Sequence, residues 1–311
     1  MAGLDAILNR KPSTKLERFM QSPEKYIAKT LYALRPNRAP SDRKQSLDKT
    51  IKIVCISDTH NHKIIDIATG DILIHAGDLT ERGSVQEVQN AVDWLDTLPH
   101  TYKIVIAGNH ELCLDPSYKY KKTTIPPTHD FINWKSLTYL NDASVVINVP
   151  GKSRAIKIYG CPWTPKQGNS AFQYPRQENF WEDRVPNDVD ILVSHGPPRH
   201  HLDIHAGCIS LLLELWRVRP QLHVFGHIHE SRGRDYLDYS SFQGEYEMLC
   251  DGKGSVFTIF FLFLGLIASR LLRLIGMRQE GPKTILINAA MVKGLKNELI
   301  DSGGTSVSLS L

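Results

Sequence analysis

The sequence predicts an α/β fold in which short strands, buried on both faces, alternate with helices. Apolar segments of strand length recur along the chain, and several are rich in the β-branched residues that favour strands. Residues 84–98 have helical periodicity instead, with Val85, Val88, Val92 and Leu95 on one face. Strands that alternate with helices are typical of layered α/β proteins, whose parallel strands are covered on both sides.

The predicted strands lie between residues 51 and 292. They read, in order, IKIVCIS, DILIHAGD, KIVIAGNH, SVVINV, AIKIYGCPW, DILVSHGPP, HVFGHIH and KTILINAAMV. The helix of residues 84–98 begins at a capping box formed by Ser84 and Glu87. A second helix is predicted over residues 209–218, where an apolar segment stops just before a proline.

The composition is that of an ordinary globular protein, and it argues against several classes. Of the 311 residues 41% are hydrophobic, and a net charge of +4 is too small to indicate a nucleic-acid polymer as partner. The five cysteines are scattered and never form a CxxC pair, which argues against a disulfide framework and a thiolate zinc site. These cysteines, and an N-terminus without the apolar segment of a signal peptide, predict an intracellular, cytoplasmic protein.

Five of the predicted strands end in polar side chains of the kinds that bind metals. In open α/β sheets such residues meet just beyond the carboxyl ends of the strands. Glycine stands next to the polar residue at four of the five ends, where it allows a sharp turn or a close approach. The polar residues, in chain order, are Asp58, His60, Asp78, Asn109, His110, Glu111, His195, His227 and His229.

These donors suit a pair of divalent ions better than a single ion. Two aspartates, one asparagine and four histidines, with no cysteine, exceed what one four-coordinate site accepts. Mixed oxygen and imidazole donors suit Mn, Fe, Zn or Co better than Ca or Mg. Two such ions, roughly 3.5–4 Å apart, activate a bridging water and hold the oxygens of an in-line displacement, as hydrolysis of a phosphate ester requires.

The order of the motifs resembles that of the calcineurin-like metallophosphoesterase superfamily. The pattern is D-x-H, GD, GNH followed by an acid, H, and GHxH. The stretches GDLTERGS, AGNHE, YGCPWTP, FQYP, SHGPP and FGHIHESRGR are similar, more narrowly, to its metallophosphoesterase-domain-containing branch. The resemblance covers roughly residues 51–300. It implies a four-layer α/β/β/α sandwich of two mixed sheets, with a dimetal site at the strand ends.

The resemblance also implies roles for the polar residues, with three ligands to each of two ions and one bridging carboxylate. The ligands to the first ion are Asp58, His60 and His229, those to the second are Asn109, His195 and His227, and the bridge is Asp78. His110 resembles the family's histidine outside the ligand set, which stabilises charge on the phosphoryl oxygens or protonates the leaving alkoxide. Glu111 orients His110, caps a helix or has a purely structural role.

The resulting hypothesis is a dinuclear-metal phosphoesterase, favoured as a phosphodiesterase, in which a metal-bridging hydroxide attacks phosphorus. Mn, Fe and Zn are the favoured metals, and a phosphate ester or nucleotide is the expected substrate. A scaffold or binding protein that keeps the fold with negligible turnover is one alternative. A protein phosphatase is a weaker one, because GDLTERG has Glu81 where the phosphatase element GDxxDRG has Asp.

Three further residues are candidates for substrate contact at the mouth of the site. Asn61 and His62 follow His60 directly, and Arg82 lies in the GDLTERG stretch. Polar side chains in these positions are within reach of a bound phosphate ester in the predicted arrangement. Simple surface exposure of His62 and a surface salt bridge of Arg82 are the alternatives.

Residues 255–277 form an apolar segment that the predicted sandwich does not explain. Residues 256–268 are almost wholly apolar, and Arg270 and Arg273 follow them. The segment approaches the length of a bilayer span, but a span would place the last predicted strand across the membrane from its sheet. Association with a membrane surface, without spanning, is therefore favoured. A helix packed on the sandwich and a partner-binding helix are the alternatives.

The domain prediction follows from these features. Residues 1–50 are basic, contain Pro and Ser, and are predicted to form an N-terminal arm with a short helix around residues 16–33. Residues 51–300 form the metallophosphoesterase domain, with the apolar insertion at about 255–277, and residues 301–311 form a flexible C-terminal tail. No oligomeric state is predicted.

Overall fold

The computed structural model describes residues 14–35, 50–118, 131–152, 154–276, 281–294, 296–300 and 302–310. The chain comprises two compact units. The sandwich unit consists of Pro40–Leu237 and Pro282–Leu311, and the helical unit consists of Met1–Ala39 and Asp238–Gly281. Each unit has a hydrophobic core of its own.

The helices and strands of the described residues are as follows. The α-helices are α1 (Lys15–Gln21), α2 (Pro23–Ala33), α3 (Val85–Asp96), α4 (Ile209–Val218), α5 (Ser241–Cys250) and α6 (Val256–Leu274). The strands are β1 (Thr50–Ile56), β2 (Ile72–Ala76), β3 (Tyr102–Ile106), β4 (Leu137–Leu140), β5 (Ala143–Ile147), β6 (Ile156–Cys161), β7 (Thr164–Pro165), β8 (Gln173–Tyr174), β9 (Ile191–Ser194), β10 (Leu222–Phe225), β11 (Gly233–Leu237), β12 (Thr284–Asn288), β13 (Val292–Lys293), β14 (Glu298–Leu299) and β15 (Thr305–Ser310).

Most strands of the sandwich unit belong to two mixed sheets. The first sheet has five strands in the order β15-β1-β2-β3-β4, and only the pairing of β15 with β1 is antiparallel. The second has six strands in the order β11-β12-β10-β9-β6-β5, with parallel pairs in the middle and an antiparallel strand at each edge. The remaining strands form the short pairs β7–β8 and β13–β14.

Alternate residues of the two sheets meet in one apolar core. Ile51, Ile53 and Cys55 of β1 and Ile285 and Ile287 of β12 belong to it, and all are buried. Residues two apart on a strand point to the same side, so this spacing assigns one face of each sheet to the interior. The two sheets therefore pack face to face.

A helix covers the outer face of each sheet. Val88 and Val92 of α3 share a second buried cluster with Val54 of β1 and Leu73 of β2, which lie on the outer side of the first sheet. α4 connects β9 to its parallel neighbour β10, and the inner face of their sheet is already occupied by the core. A crossover of this kind must pass over one face, so α4 lies on the outer one. The predicted α/β/β/α sandwich is confirmed.

The C-terminal residues differ from the predicted flexible tail, because β15 pairs with β1 along its length. Val307 and Leu309 are buried in the core between the sheets, while the residues between and beside them are more exposed. The alternation of buried and exposed residues was hard to detect in the sequence because SVSLS carries few apolar residues. The strand that pairs with it, β1, lies at the opposite end of the domain in sequence.

The helical unit has a small core formed by residues from two segments that are far apart in sequence. Ala28 and Tyr32 of α2, Leu249 of α5 and Leu262 of α6 are buried together. The ring of Tyr32 stacks on that of Tyr246, with 3.7 Å between the centroids. The sequence analysis assigned these segments to an arm and to an insertion, and the structure groups them in one compact unit. Residues 1–13 and 36–49 of the predicted arm lie outside the described part.

Because His223 of β10 is buried, we expect the free energy of unfolding to fall in mild acid. Its ring is buried, its Nε2–H donates to Ser194 Oγ at 2.8 Å, and among the described residues no hydrogen-bond partner reaches Nδ1. Burial, with a smaller contribution from His201, lowers the pKa of His223 to about 3. The unfolded chain binds this proton near pH 6.5, so stability is complete above that pH and falls as the pH drops towards 3.

Chemical denaturation at pH 7 and pH 5 tests this expectation. Between these values His223 should account for a loss of about 2 kcal/mol in the free energy of unfolding. A His223→Leu variant keeps the apolar volume without the titration, so its stability should depend less on pH by that amount. Parallel pH dependences of the two proteins would show that protonation of His223 does not weaken the fold.

Candidate metal centre

The polar residues at the five strand ends converge at one edge of the sandwich unit. Asp58 follows β1, Asp78 follows β2, Asn109 follows β3, His195 follows β9, and the pair His227 and His229 follows β10. Both sheets therefore contribute to the cluster, through the carboxyl ends of neighbouring parallel strands. This is where α/β sheets commonly place their functional groups.

The side chains predicted as ligands form two groups of donor atoms. Ligand atoms of Asp58, His60 and His229 lie within 4.8 Å of one another, and so do those of Asp78, His195 and His227. Asn109 adjoins the second group, because its Oδ1 lies 3.1 Å from His195 Nε2. The structure thus brings together all seven side chains that the sequence named as ligands. The role of each residue as a ligand remains a prediction.

Asp78 links the two groups. Its Oδ2 lies 3.2 Å from His195 Nε2 in the second group and 3.8 Å from His60 Nε2 in the first. The same oxygen lies 4.0 Å from His110 Nε2. One carboxylate therefore faces both groups, which is the position that a bridging ligand requires.

Backbone carbonyls orient two of the imidazole rings. His60 Nδ1 donates to Thr80 O at 3.1 Å, and His195 Nδ1 donates to Ala76 O at 2.9 Å. A carbonyl oxygen only accepts, so the proton of each neutral ring lies on Nδ1 and a lone pair lies on Nε2. The lone pairs of both rings therefore face the cluster, as metal-binding histidines require.

The charges of the cluster fit a cation. Asp58 and Asp78 are both buried, and within the described part of the chain their ion-pair partners are all histidines. A buried carboxylate is costly unless it is paired or bound to a metal. Two such carboxylates among imidazole nitrogens form a donor set that suits first-row divalent ions, so the residues present fit the predicted metals.

The pKa directions agree with this interpretation. Burial opposes ionisation of Asp78, but the neighbouring histidines, His195 foremost, together outweigh it and hold the pKa of Asp78 well below its ordinary value. Burial lowers the pKa of His227 to about 4. Burial also opposes protonation of His195, yet the charge of Asp78 raises the pKa of His195 to about 9. Ionised carboxylates and a neutral His227 are the forms that bind metal, and a cation has to displace the proton of His195.

The backbone around the cluster adopts conformations that few residues tolerate. Asp58, His60, Asp78 and His227 have φ angles of 53°, 42°, 54° and 69°. Such positive φ values in residues other than glycine concentrate at functional sites, where the surrounding structure holds them. Gly226 allows a close approach, since a Cβ atom there would lie 2.0 Å from Asp58 Oδ2.

Glu111 connects the loops that carry the ligands. Its Oε2 accepts from the backbone N–H groups of Asp78 at 2.9 Å and Gly108 at 2.6 Å. Its Oε1 accepts from the backbone N–H and the hydroxyl of Thr80, both at 2.9 Å. Among the described hydrogen bonds none joins its carboxylate to the His110 ring, and the carboxylate caps no helix. Of the roles considered from the sequence, the structural one agrees with these contacts.

His110 lies beside the two groups with its ring partly exposed. Nδ1 donates to Glu81 O at 2.7 Å, and its backbone N–H donates to Asp78 Oδ1 at 3.0 Å. Burial opposes protonation, but Asp78 and the bond to Glu81 outweigh it, so the pKa of His110 is raised. Ligand atoms of His110, His60 and Asp78 lie within 4.8 Å of one another, so the place of His110 outside the ligand set stays a prediction.

The three candidate substrate contacts lie at the surface near His60. Asn61 donates its side-chain amide to Glu87 Oε1 at 2.8 Å, and the ring of His62 bonds to Asn297 O at 3.0 Å. Arg82 is exposed. The structure therefore shows other partners for the first two side chains, and substrate contact by any of the three stays a prediction.

The fold and this donor set define the class of the protein. Two mixed sheets packed face to face, with histidines, carboxylates and an amide converging at the strand ends, are typical of metal-dependent phosphoesterases. The family model described as calcineurin-like phosphoesterase matches residues 51–231, and the chain belongs to this family. The family consists of hydrolases of phosphoric esters that bind divalent metals.

Relatives extend the similarity beyond the matched region. The chain is 42% identical over 299 residues to "Probable rhamnogalacturonate lyase C" of Emericella nidulans, covering 94% of this chain and 28% of that protein. It is 40% identical over 206 residues to "Metallophosphoesterase domain-containing protein 1" of Homo sapiens, covering 58% and 61%. A UPF0046 protein of Caenorhabditis elegans is 35% identical over 221 residues, covering 66% and 78%. The chain thus spans less than two thirds of the first two relatives.

Proposed function

We propose that this chain hydrolyses phosphodiesters with two divalent ions, and that manganese is one of the metals that support the reaction. The observation that supports the proposal most strongly is the convergence of all seven predicted ligands, with His110 Nε2 beside them. When bound, two divalent ions supply the positive charge that polarises a phosphoryl group and lowers the pKa of water.

Contacts within the protein hold the side chains of the cluster in place. Asp78 faces both groups of donors, and Glu111 ties the backbone of Asp78 to the loop that carries Asn109. Carbonyl oxygens hold the rings of His60 and His195 with Nε2 towards the cluster. Little rearrangement is then needed on binding, which is the condition for electrostatic stabilisation of a phosphoryl-transfer transition state.

His110 is the proton donor in this proposal. Its Nδ1–H is engaged by Glu81 O, so the proton that it transfers lies on Nε2, on the side of the cluster. The raised pKa of His110 favours the doubly protonated imidazolium, which passes its Nε2 proton to the leaving oxygen of the ester and becomes a neutral ring with its proton on Nδ1. About a third of the side chain is exposed, which allows it to regain a proton from water.

The alternatives are less well supported. A protein phosphatase would use the second acid of GDxxDRG, but Glu81 stands there and its Oε2 accepts from Asn297 at 2.9 Å. The lyase name of the Emericella relative belongs to a protein of which this chain matches 28%, so it supports no lyase activity here. A scaffold with negligible turnover is the outcome if hydrolysis fails.

Hydrolysis of bis-p-nitrophenyl phosphate by manganese-loaded protein tests the proposal. We expect turnover that a chelator abolishes, and we expect His110→Ala to lower kcat by roughly 10²–10⁴-fold because it removes the proton donor. His205→Ala, at an exposed histidine outside the cluster, is the matched control and should keep the activity of the parent protein.

The choice of substrate separates the three functions. The diester should react faster than p-nitrophenyl phosphate and faster than a phosphopeptide under the same conditions. Preferential turnover of the phosphopeptide would support a protein phosphatase instead. No turnover of any of them with manganese, iron or zinc would leave the scaffold as the better description.

A further inference from the structure

The long helix α6 exposes apolar side chains over most of its surface. Only Leu262 and Leu266 of its 19 residues are buried. The exposed large residues of the helix are Val256, Phe257, Phe260, Phe261, Phe263, Leu264, Ile267, Leu271 and Leu274. A helix that packs one stripe on a protein core in water has polar residues on its other faces. A contiguous apolar surface of this kind marks an interaction site.

The buried stripe of α6 fixes which face is exposed. Leu262 packs in the core of the helical unit with Ala28 and Leu249. At Gly265 a Cβ atom would lie 3.1 Å from Phe242 Cδ2, so α6 approaches that ring closely. Arg270 donates to Leu34 O at 3.0 Å. With this side engaged in the helical unit, the phenylalanine-rich side has no partner within the described part of the unit.

The connectivity of the chain argues against a membrane-spanning helix. The segment with α5 and α6 leaves the second sheet after Leu237 and returns at Thr284, and these two residues pair directly in the antiparallel β11–β12 ladder. α6 has 19 residues and is about 28 Å long. If it crossed a bilayer, residues 275–283 would have to return across the hydrocarbon, and this segment is far shorter than the roughly 20 residues of a spanning helix.

The charges near α6 are complementary to an anionic surface. From residue 253 to residue 276 the sequence contains Lys253, Arg270 and Arg273 and no acidic residue, and just before it the Asp251 carboxylate lies 3.7 Å from the exposed Lys253 Nζ. All three basic residues are exposed, one before the helix and two in its last turns. Cations at the ends of an apolar helix reach lipid phosphates while the apolar face enters the membrane interface. In a second copy of α6 they would meet like charges.

We propose that the exposed face of α6 binds anionic phospholipid membranes, with the helix lying in the plane of the interface. The phenylalanine and leucine side chains enter the boundary between headgroups and acyl chains, and Lys253 and Arg273 contact phosphates. This anchor holds the chain at a membrane surface, and it does not depend on whether the metal centre is catalytic.

Flotation of the full-length protein with liposomes tests the proposal. We expect binding to vesicles of phosphatidylcholine with about 30 mol% phosphatidylserine, which have a negative surface. Binding to vesicles of pure phosphatidylcholine should be weaker. The double variant Phe257→Glu with Phe260→Glu should lower the partition coefficient by at least ~10-fold, because each ring loses its burial in the interface. Leu213→Glu, at an exposed leucine of α4, is the matched control and should float like the parent protein.

A second set of variants tests whether the basic residues contribute to membrane binding, and a control measurement shows whether each variant is folded. Lys253→Gln with Arg273→Gln leaves the apolar face intact, and should lower binding to the anionic vesicles by about fivefold per residue while leaving phosphatidylcholine binding unchanged. Thermal unfolding of every variant shows whether it is folded; if the glutamate pair is not, Phe257→Ser alone replaces it, because that side chain is exposed.

Two results would overturn the proposal. One is parent protein that stays unbound with both vesicle types. The other is a concentration-dependent dimer in ultracentrifugation that the glutamate pair dissociates, with no effect of that pair on flotation; α6 would then bind a second copy of the chain.

Discussion

An Asp78→Asn variant is expected to lose metal from the cluster and at least ~10²-fold of any metal-dependent hydrolysis. Asp78 Oδ2 faces His195 Nε2 at 3.2 Å and His60 Nε2 at 3.8 Å, so one side chain serves both donor groups. Asparagine has nearly the same shape and keeps an oxygen for the His110 backbone N–H, but it carries no negative charge. The effect is therefore on metal binding more than on folding.

Metal analysis of the purified protein measures this effect directly. We expect two divalent ions per chain in the parent protein after loading, and one or none in Asp78→Asn. Asp115→Asn is the matched control, since Asp115 is also buried and accepts from backbone N–H groups, but it lies outside both donor groups. If Asp78→Asn retained the full metal content of the parent protein, Asp78 would not be a bridging ligand.

Glu111→Ala is expected to lower the free energy of unfolding by about 3–5 kcal/mol. The carboxylate accepts from three buried backbone N–H groups, those of Asp78, Thr80 and Gly108, and alanine leaves all three without this acceptor. The same groups lie in the loops that position Asp78 and Asn109. Metal affinity should therefore fall as well, by roughly 10–100-fold, even though Glu111 is not a ligand.

Urea denaturation and metal titration together distinguish this role from general destabilisation. Glu214 is a matched control, because it is buried, accepts from the Val185 backbone N–H at 2.8 Å and pairs with Arg217, all in the sandwich unit. Glu214→Ala should lower stability without changing metal affinity. Equal metal affinities in the Glu111→Ala and Glu214→Ala proteins would contradict a positioning role for Glu111.

The positions of the main strands and of the candidate ligands were predictable from local patterns. Apolar segments such as IKIVCIS and DILIHAGD end where polar residues begin, and β1 and β2 end within two residues of those points. The capping box of Ser84 and Glu87 begins α3 as predicted. These features are local, because periodicity and capping depend on residues a few positions apart.

Long-range contacts explain what local patterns did not reveal. β15 becomes a strand because β1 offers it an edge and the core accepts Val307 and Leu309. Glu111 acquires its role because Asp78, Thr80 and Gly108 turn their N–H groups towards one point. In each case the partner is a backbone atom from another strand or loop, and a sequence pattern carries no information about such atoms.

The sequence by itself determined which chemical groups this protein has available. They are seven side chains able to bind a metal, at the ends of apolar strands, and a long apolar segment with basic residues near one end. The tertiary structure alone decided that Asp78 faces both donor groups, that carbonyl oxygens turn the rings of His60 and His195, and that α6 presents its phenylalanines outward. The physical reason is that donor type is a property of single residues, whereas distance, orientation and exposure arise only when the strands pair and the helices pack.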